Sequence, residues 1–413
     1  MLNKLVHKHA LSVALSLMSG ASYGLSMDDI YNDLKSCSPE LISKESAVML
    51  AEGSIEIEKA KRLPTFSLSA SGTRYASDTN NMNKPKNDSA VTAQAQYTLY
   101  SFGKQAANEE LRVRKLAIEQ LDLMSKSKDT LTNFLLKNIT IEKLKKDIAV
   151  LESIVDLQQK IFERVERRAK FQFTSETDRN VVFSKVLQNR NAIRENQLQL
   201  DVLRSEVQEI ACTPALSQLS LDDLPREVTD IPVNSNDFLN TELAVIEARL
   251  TSKLQEVEAV GRSLYPDLDI KAEVPVGDDA KDDANIGLQF NVSYGNMGKA
   301  QFAQVEALQA EVDAITRELE TSSNKRLQEL ERLEQQIATI NNMMLDSQAM
   351  AVDSLRQKLT AKERLFKAGR VSLFELINVY DEFLSEQLKL NRTHVDLQEA
   401  RVKRAANVDF IFR

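Results

Sequence analysis

Tryptophan is absent from the 413-residue chain, and aromatics make up only 6% of it. That argues against the aromatic-rich core of a conventional large enzyme. Glycine and proline number only eleven and eight, well under the average usage of about 7% and 5%. A chain so poor in turn formers makes few turns, so its elements must be long, which argues against a string of compact domains. There is no basic excess: 53 Lys and Arg stand against 61 Asp and Glu for a net charge of −8, so the electrostatic footprint of a nucleic-acid binder is missing. Hydrophobic residues at 42% and charged residues at 28% fit neither a disordered chain nor a helical membrane protein.

What is present begins with an address label. Lys4 and Lys8 precede an apolar run from Ala10 to Met18, followed by the small residues Ser19, Gly20, Ala21, Ser22 and Gly24. This is the order of a secretory signal peptide over residues 1–24. The run is about half the ~20 residues a spanning helix needs, the alternative being an N-terminal anchor helix. No Cys follows the small residues, which argues against a lipid anchor. Cleavage would remove His7 and His9 and leave His394 as the last histidine. The mature chain keeps Cys37 and Cys212, beside Pro39 and Pro214. In an oxidising compartment they permit one disulfide, and two separate buried thiols remain the alternative.

Proline and glycine positions outline the architecture. No Pro occurs between Lys86 and Thr213 or after Val276, and no Gly between Lys104 and Val260. These stretches can hold unbroken helix. Apolar spacing agrees, through Leu144, Ile148, Leu151 and Val155, then Leu200, Leu203, Val207 and Ile210. The rhythm returns in Val305, Leu308, Val312, Ile315 and Leu319, and in Leu330, Leu333, Ile337, Ile340 and Met344. A 3.5-residue repeat is a seam that packs helix on helix. A straight helix from Lys104 to Arg168 would span roughly 95–100 Å.

Four short segments alternate strictly instead. Thr65 to Thr73 sets Phe66, Leu68 and Ala70 against serines; Val91 to Leu99 sets Val91, Ala93, Ala95, Tyr97 and Leu99 against Thr and Gln. Asp267 to Val276 and Ile286 to Tyr294 do the same, with Leu268, Ile270, Ala272 and Val274, then Ile286, Leu288, Phe290, Val292 and Tyr294, on the apolar side. Each approaches the 9–11 residues of a tilted membrane strand. A half-buried soluble sheet gives the same signal per strand, but the nearly unbroken polar faces suit a water-filled lumen. The connections between paired strands are an Asn-rich loop from Asp78 to Asn87 and an Asp-rich loop from Gly277 to Asp283. The latter lacks calcium-ligand spacing.

The chain reads as an internal duplication. Glu40, Leu41, Glu45 and Pro64 recur as Glu242, Leu243, Glu247 and Pro266; Gly103 and Lys104 recur as Gly298 and Lys299; Lys170, Ser175 and Asp178 recur as Lys367, Ser372 and Glu375. The expected organisation is a first repeat over residues 25–211, with strands at about 65–75 and 90–100 and a helical hairpin at about 104–211. A proline-marked connector over 212–237 follows. The second repeat, over 238–413, has strands at about 267–276 and 285–295 and a hairpin at about 299–409.

On these residues the chain resembles the TolC-like outer-membrane efflux protein family. The carriers are Ala60 and Leu63-Pro64-Thr65-Phe66 at the first strand, Tyr100-Ser101-Phe102-Gly103-Lys104 at the strand-to-helix junction, and Phe366 to Leu376 at the second hairpin tip. The resemblance implies a mainly α protein with membrane β: a homotrimer whose chains each give four strands to one 12-stranded outer-membrane β-barrel, continued through the periplasm by an α-helical coiled-coil barrel. Closure also has a physical motive, since four strands leave two edges that lipid does not tolerate. The implied partners are outer-membrane lipid, a periplasmic membrane-fusion adaptor and an inner-membrane ABC or proton-driven pump.

No catalytic constellation emerges: one mature His, no Ser-His-Asp order, no Cys-His pair and no phosphate loop argue against an enzyme or a bound cofactor. Passive conduction follows as the expected function. The candidate periplasmic gate is the pair of hairpin tips. Gly369 supplies one turn, Gln172 stands at its counterpart, and Asp178 and Glu375 place a carboxylate in each tip. Arg168, Lys170, Arg179, Lys367 and Arg370 lie alongside as possible ion-pair partners. In the family, acids near the second tip form the narrow constriction; Glu375 falls at one such position and Asn378 where a second acid is expected. The expected adaptor-docking surface is Phe171, Phe173, Gly369, Val371 and Leu373. For cargo, type I protein secretion is expected first, small-molecule efflux is the alternative, and a periplasmic coiled-coil adaptor without a channel is the competing class.

Overall fold

The computed structural model describes residues 27–73, 88–171, 175–211, 240–276, 284–292 and 298–408. The leader, the connector, both loops between paired strands, Gln172, Phe173, Cys212 and Tyr294 lie outside them.

Two helices open the described chain, α1 (Met27–Cys37) and α2 (Pro39–Ala60). Pro39 sits in the first turn of α2, where its missing N–H would have no partner anyway. Cys37 closes α1 and is disulfide-bonded. After Pro64 the chain extends into β1 (Thr65–Thr73) and returns as β2 (Asp88–Tyr100). Gly103, left-handed at φ 78°, turns the chain into α3 (Lys104–Lys170), a single 67-residue helix about 100 Å long. Its antiparallel partner is α4 (Glu176–Ile210).

The second half repeats this plan. Helix α5 (Thr241–Arg262) leads past Pro266 into β3 (Asp267–Val276) and β4 (Asn285–Asn291). Gly298, left-handed at φ 75°, then starts α6 (Lys299–Thr339). One π turn (Ile340–Met344) joins α6 to α7 (Leu345–Lys367), and α8 (Leu373–Asn407) returns alongside.

The strands form one antiparallel sheet in the order β1-β2-β3-β4. The middle pairing, β2 with β3, sets Gln94 opposite Glu273 and Tyr97 opposite Ile270, so the two repeats fuse into a single sheet. Strand β4 is described only to Asn291, shorter than the reach to about residue 295 expected from alternation.

Two apolar clusters bind the hairpins to each other. The first joins Ile30 and Leu34 of α1 to Leu131, Phe134, Leu135 and Ile139 of α3, Leu200 and Val207 of α4, and Val395 and Val402 of α8. The second, nearer the tips, joins Leu151, Ile154, Ile161 and Val165 of α3 to Val182 and Val186 of α4, Leu359 and Phe366 of α7, and Leu376 and Tyr380 of α8. Each fully buried Leu, Ile or Phe contributes about 1.5–3 kcal/mol. Between the clusters lies a polar layer, where buried Asn391 donates to the Asp147 carboxylate at 2.9 Å. A specific polar pair in an apolar seam favours one helix register over slipped ones.

The seam expected through Met344 is corrected at one point. Leu333 and Ile340 are buried seven residues apart, but the next buried position is Gln348, eight further on, followed by Val352, Leu359 and Phe366. The π turn inserts one extra residue, so Met344 rotates out of the seam and is 38% exposed.

Candidate functional site

The sheet presents two chemically opposite faces. Register places Phe66 beside Ala95 and Leu68 beside Ala93, then Ala93 beside Val274 and Ala95 beside Ala272, then Ile270 beside Leu288 and Ala272 beside Ile286. All point the same way because side chains alternate along each strand. Among the described residues nothing covers this face: Phe66 is 80% exposed, Ile286 79% and Leu288 69%. Leaving such side chains in water forfeits about 1.5–3 kcal/mol each, so an apolar medium or partner is called for. The outer strands β1 and β4 each keep one edge unpaired within the described chain.

The opposite face carries Ser67, Gln94, Gln96, Asp269, Lys271, Glu273 and Gln289. Lys271 pairs with Glu273 at 2.7 Å, and Lys104 at the head of α3 pairs with Asp267 at 2.7 Å. Asp269 Oδ2 accepts from Gln96 Nε2 at 3.0 Å and from Asn291 Nδ2 at 2.7 Å, tying β2, β3 and β4 together on this side.

At the far end of the helices the two tips share a capping geometry. Ser175 Oγ accepts the Asp178 backbone N–H at 3.1 Å, and Ser372 Oγ accepts that of Glu375 at 3.2 Å. Both carboxylates therefore stand in the first turn of a helix, where the dipole favours negative charge. Gly369, at φ 72°, closes α7: its N–H reaches Phe366 O at 3.0 Å and the Arg370 N–H reaches Leu365 O at 2.9 Å. That is the double bond of a Schellman end, which needs a left-handed residue. Arg370 and Asn378 are exposed beside it.

The structure revises several expectations at the tips. Glu375 pairs with Lys362 of α7 at 2.9 Å, a partner absent from the expected set of Arg168, Lys170, Arg179, Lys367 and Arg370. Arg179 instead donates to the Asn180 side chain at 3.4 Å. Leu373 packs against the tip core and Val371 is half-buried, so neither offers the freely exposed surface expected of it. Phe171 is 74% exposed as expected, and Phe374, which the sequence reading missed, is 66% exposed. The signal was present, because Leu373, Leu376, Ile377 and Tyr380 share one helical stripe that Phe374 does not join.

A second feature above the tips also went unread. Buried Tyr380 of α8 donates its hydroxyl to the Glu363 carboxylate of α7. Burial, and then this bond, push the phenol far above its usual range. The pair borders a cavity of about 150 Å³, also lined by Lys160 and Arg164 of α3. Farther up α8, His394 is solvent-exposed; partial desolvation, then Lys146, hold its imidazole below the usual value of 6.5. Among the described residues no group of three or more His, Cys, Asp or Glu is arranged to hold a metal ion, and no helix is long and apolar enough to cross a membrane.

Residues 30–175 match the family model described as outer membrane efflux protein. Solved structures share the fold over nearly the whole chain. The outer membrane protein VceC from Vibrio cholerae is 14% identical with a TM-score of 0.75, covering 92% of this chain and 95% of its own. The Campylobacter jejuni CmeC outer membrane channel is 13% identical with a TM-score of 0.78, covering 96% and 90%. The open state of the Neisseria gonorrhoeae MtrE outer membrane channel is 11% identical with a TM-score of 0.75, covering 93% and 89%. No curated protein matches by sequence.

Proposed function

We propose, from the premise that this chain resembles the outer membrane efflux proteins over residues 30–175 and shares their fold over nearly its whole length, that it is an outer-membrane exit duct. Three copies close one 12-stranded barrel in the outer membrane, and their helices continue it into the periplasm as a tunnel. Conduction is passive: the driving force comes from an inner-membrane ABC or proton-driven pump, reached through a periplasmic adaptor. The observation that carries this reading is a four-stranded sheet that, among the described residues, has both edges unpaired and one apolar face uncovered. Lipid satisfies the face, and neighbouring copies satisfy the edges.

Within this reading the tips are the periplasmic gate. Asp178 and Glu375 of three chains set six carboxylates around the mouth, and Asn378 and Arg370 flank them. Phe171 and Gly369 supply the adaptor-docking surface, with Phe374 added; Phe173 lies outside the described residues. Cys37 is disulfide-bonded, and Cys212, the chain's other cysteine, lies outside the described residues.

Two cargo classes fit the same conduit. Type I protein secretion is the first reading. Small-molecule efflux is the second, favoured by the efflux description of the matching family model. Envelope extracts should give a heat-labile trimer in mild detergent that forms channels in planar bilayers; a soluble monomer without channel activity overturns the duct. Deleting the gene, with secreted proteins and dye tolerance followed in parallel, separates the two cargoes. Charge reversal at Asp178 and Glu375 should change conductance, and an unchanged conductance removes them from the gate.

A further inference from the structure

Among the described side chains of the polar face, one charge is left uncompensated. Asp267 is neutralised by Lys104 and Glu273 by Lys271. Asp269 is only 3% exposed, and both partners of its Oδ2, Gln96 and Asn291, are neutral amides. Its Oδ1 is buried and has no hydrogen-bond partner among the described residues. Burying a carboxylate without a counter-charge is costly, and an orphaned buried oxygen calls for a water or an ion. The tips differ, since Glu375 already has Lys362 at 2.9 Å.

We propose that Asp269 sets the ionic preference of the duct, making the helix-proximal end of the barrel selective for small monovalent cations. The inference rests on the duct reading, which turns this face toward the lumen. Three copies then bring three uncompensated carboxylates around one aqueous path. Low-dielectric walls focus such a field, so it acts on passing ions without requiring them to touch the oxygen.

The test is the potassium-to-chloride permeability ratio, from reversal potentials in asymmetric KCl across planar bilayers, for the full-length trimer and two variants. Asp269→Asn removes the charge with little change of shape. Gln289→Lys adds a cation at the exposed position opposite Asp269 in the β3–β4 register and leaves Asp269 itself in place. The wild-type channel is expected to prefer potassium. Each variant should lower the ratio by about threefold or more at ~0.1 M salt, and the difference should shrink towards 1 M. If Asp269→Asn fails to assemble, Gln289→Lys decides. Channels of normal conductance whose ratio ignores both substitutions overturn the assignment. A wild-type trimer that inserts no channels overturns the duct reading instead, a separate and recognisable failure.

Discussion

Leu288 gives the sharpest test of which solvent meets the apolar face. It lies at the centre of β4, 69% exposed, opposite Ile270 in register and flanked on its own strand by Ile286 and Phe290. If water bathed this face, Leu288→Arg would be a surface change on an already exposed residue, within about 0.5 kcal/mol of neutral. If lipid bathes it, an arginine there costs up to about 2–4 kcal/mol per chain, the value falling with distance from the bilayer midplane. Three copies raise that ceiling to about 6–12 kcal/mol per trimer. Gln289→Arg, one residue along, turns the same side chain to the polar face and should change stability little. The assay is the temperature at which the trimer dissociates in detergent-extracted and lipid-reconstituted samples. A large drop for Leu288→Arg with little change for Gln289→Arg is expected. Equal behaviour of the two variants would refute the assignment of faces.

Other expectations rest on single geometries. Gly369→Ala meets no atom within 4 Å and should cost about 1 kcal/mol, for the left-handed backbone alone. Gly103→Ala should cost more, since its Cβ would lie 2.1 Å from Arg262 Nη1 and displace a guanidinium paired with Glu258 at 2.6 Å; denaturation midpoints of the two variants measure the difference. Tyr380→Phe strips a hydrogen bond from the Glu363 carboxylate and should lower stability by about 1.5–3 kcal/mol in the same assay. Because His394 is held below its usual 6.5 in the fold, the unfolded chain binds its proton first as pH falls. Stability is then full above that value and declines as pH drops towards the depressed folded pKa, and His394→Gln should flatten that part of a stability–pH curve.

Much of the architecture was legible because its causes are local. Left-handed glycines stand at Gly103, Gly298 and Gly369, where repeat spacing and turn chemistry place them. Ser175 and Ser372 cap helices in both tips, and a serine three residues before an acid announces that cap to any reader of the chain. Strand alternation assigns faces by period alone. The tip surface was less legible: Leu373 and Phe374 are adjacent apolar residues, and which one turns inward depends on the stripe through Leu376 and Tyr380. The partner of Glu375 was missed because Lys362 approaches it across an antiparallel hairpin, a contact that linear proximity does not rank.

The amino-acid order alone determined where helices begin, where strands alternate, and that each half repeats the other, because backbone conformation and side-chain period are properties of short stretches. Tertiary structure alone decided that β2 and β3 join the halves into one sheet, that a π turn shifts the seam after Ile340, and that Asp269 sinks between two neutral amides while its neighbours find cations. Those outcomes depend on how distant segments crowd one another, and the burial that drives each of them exists only once the segments have met.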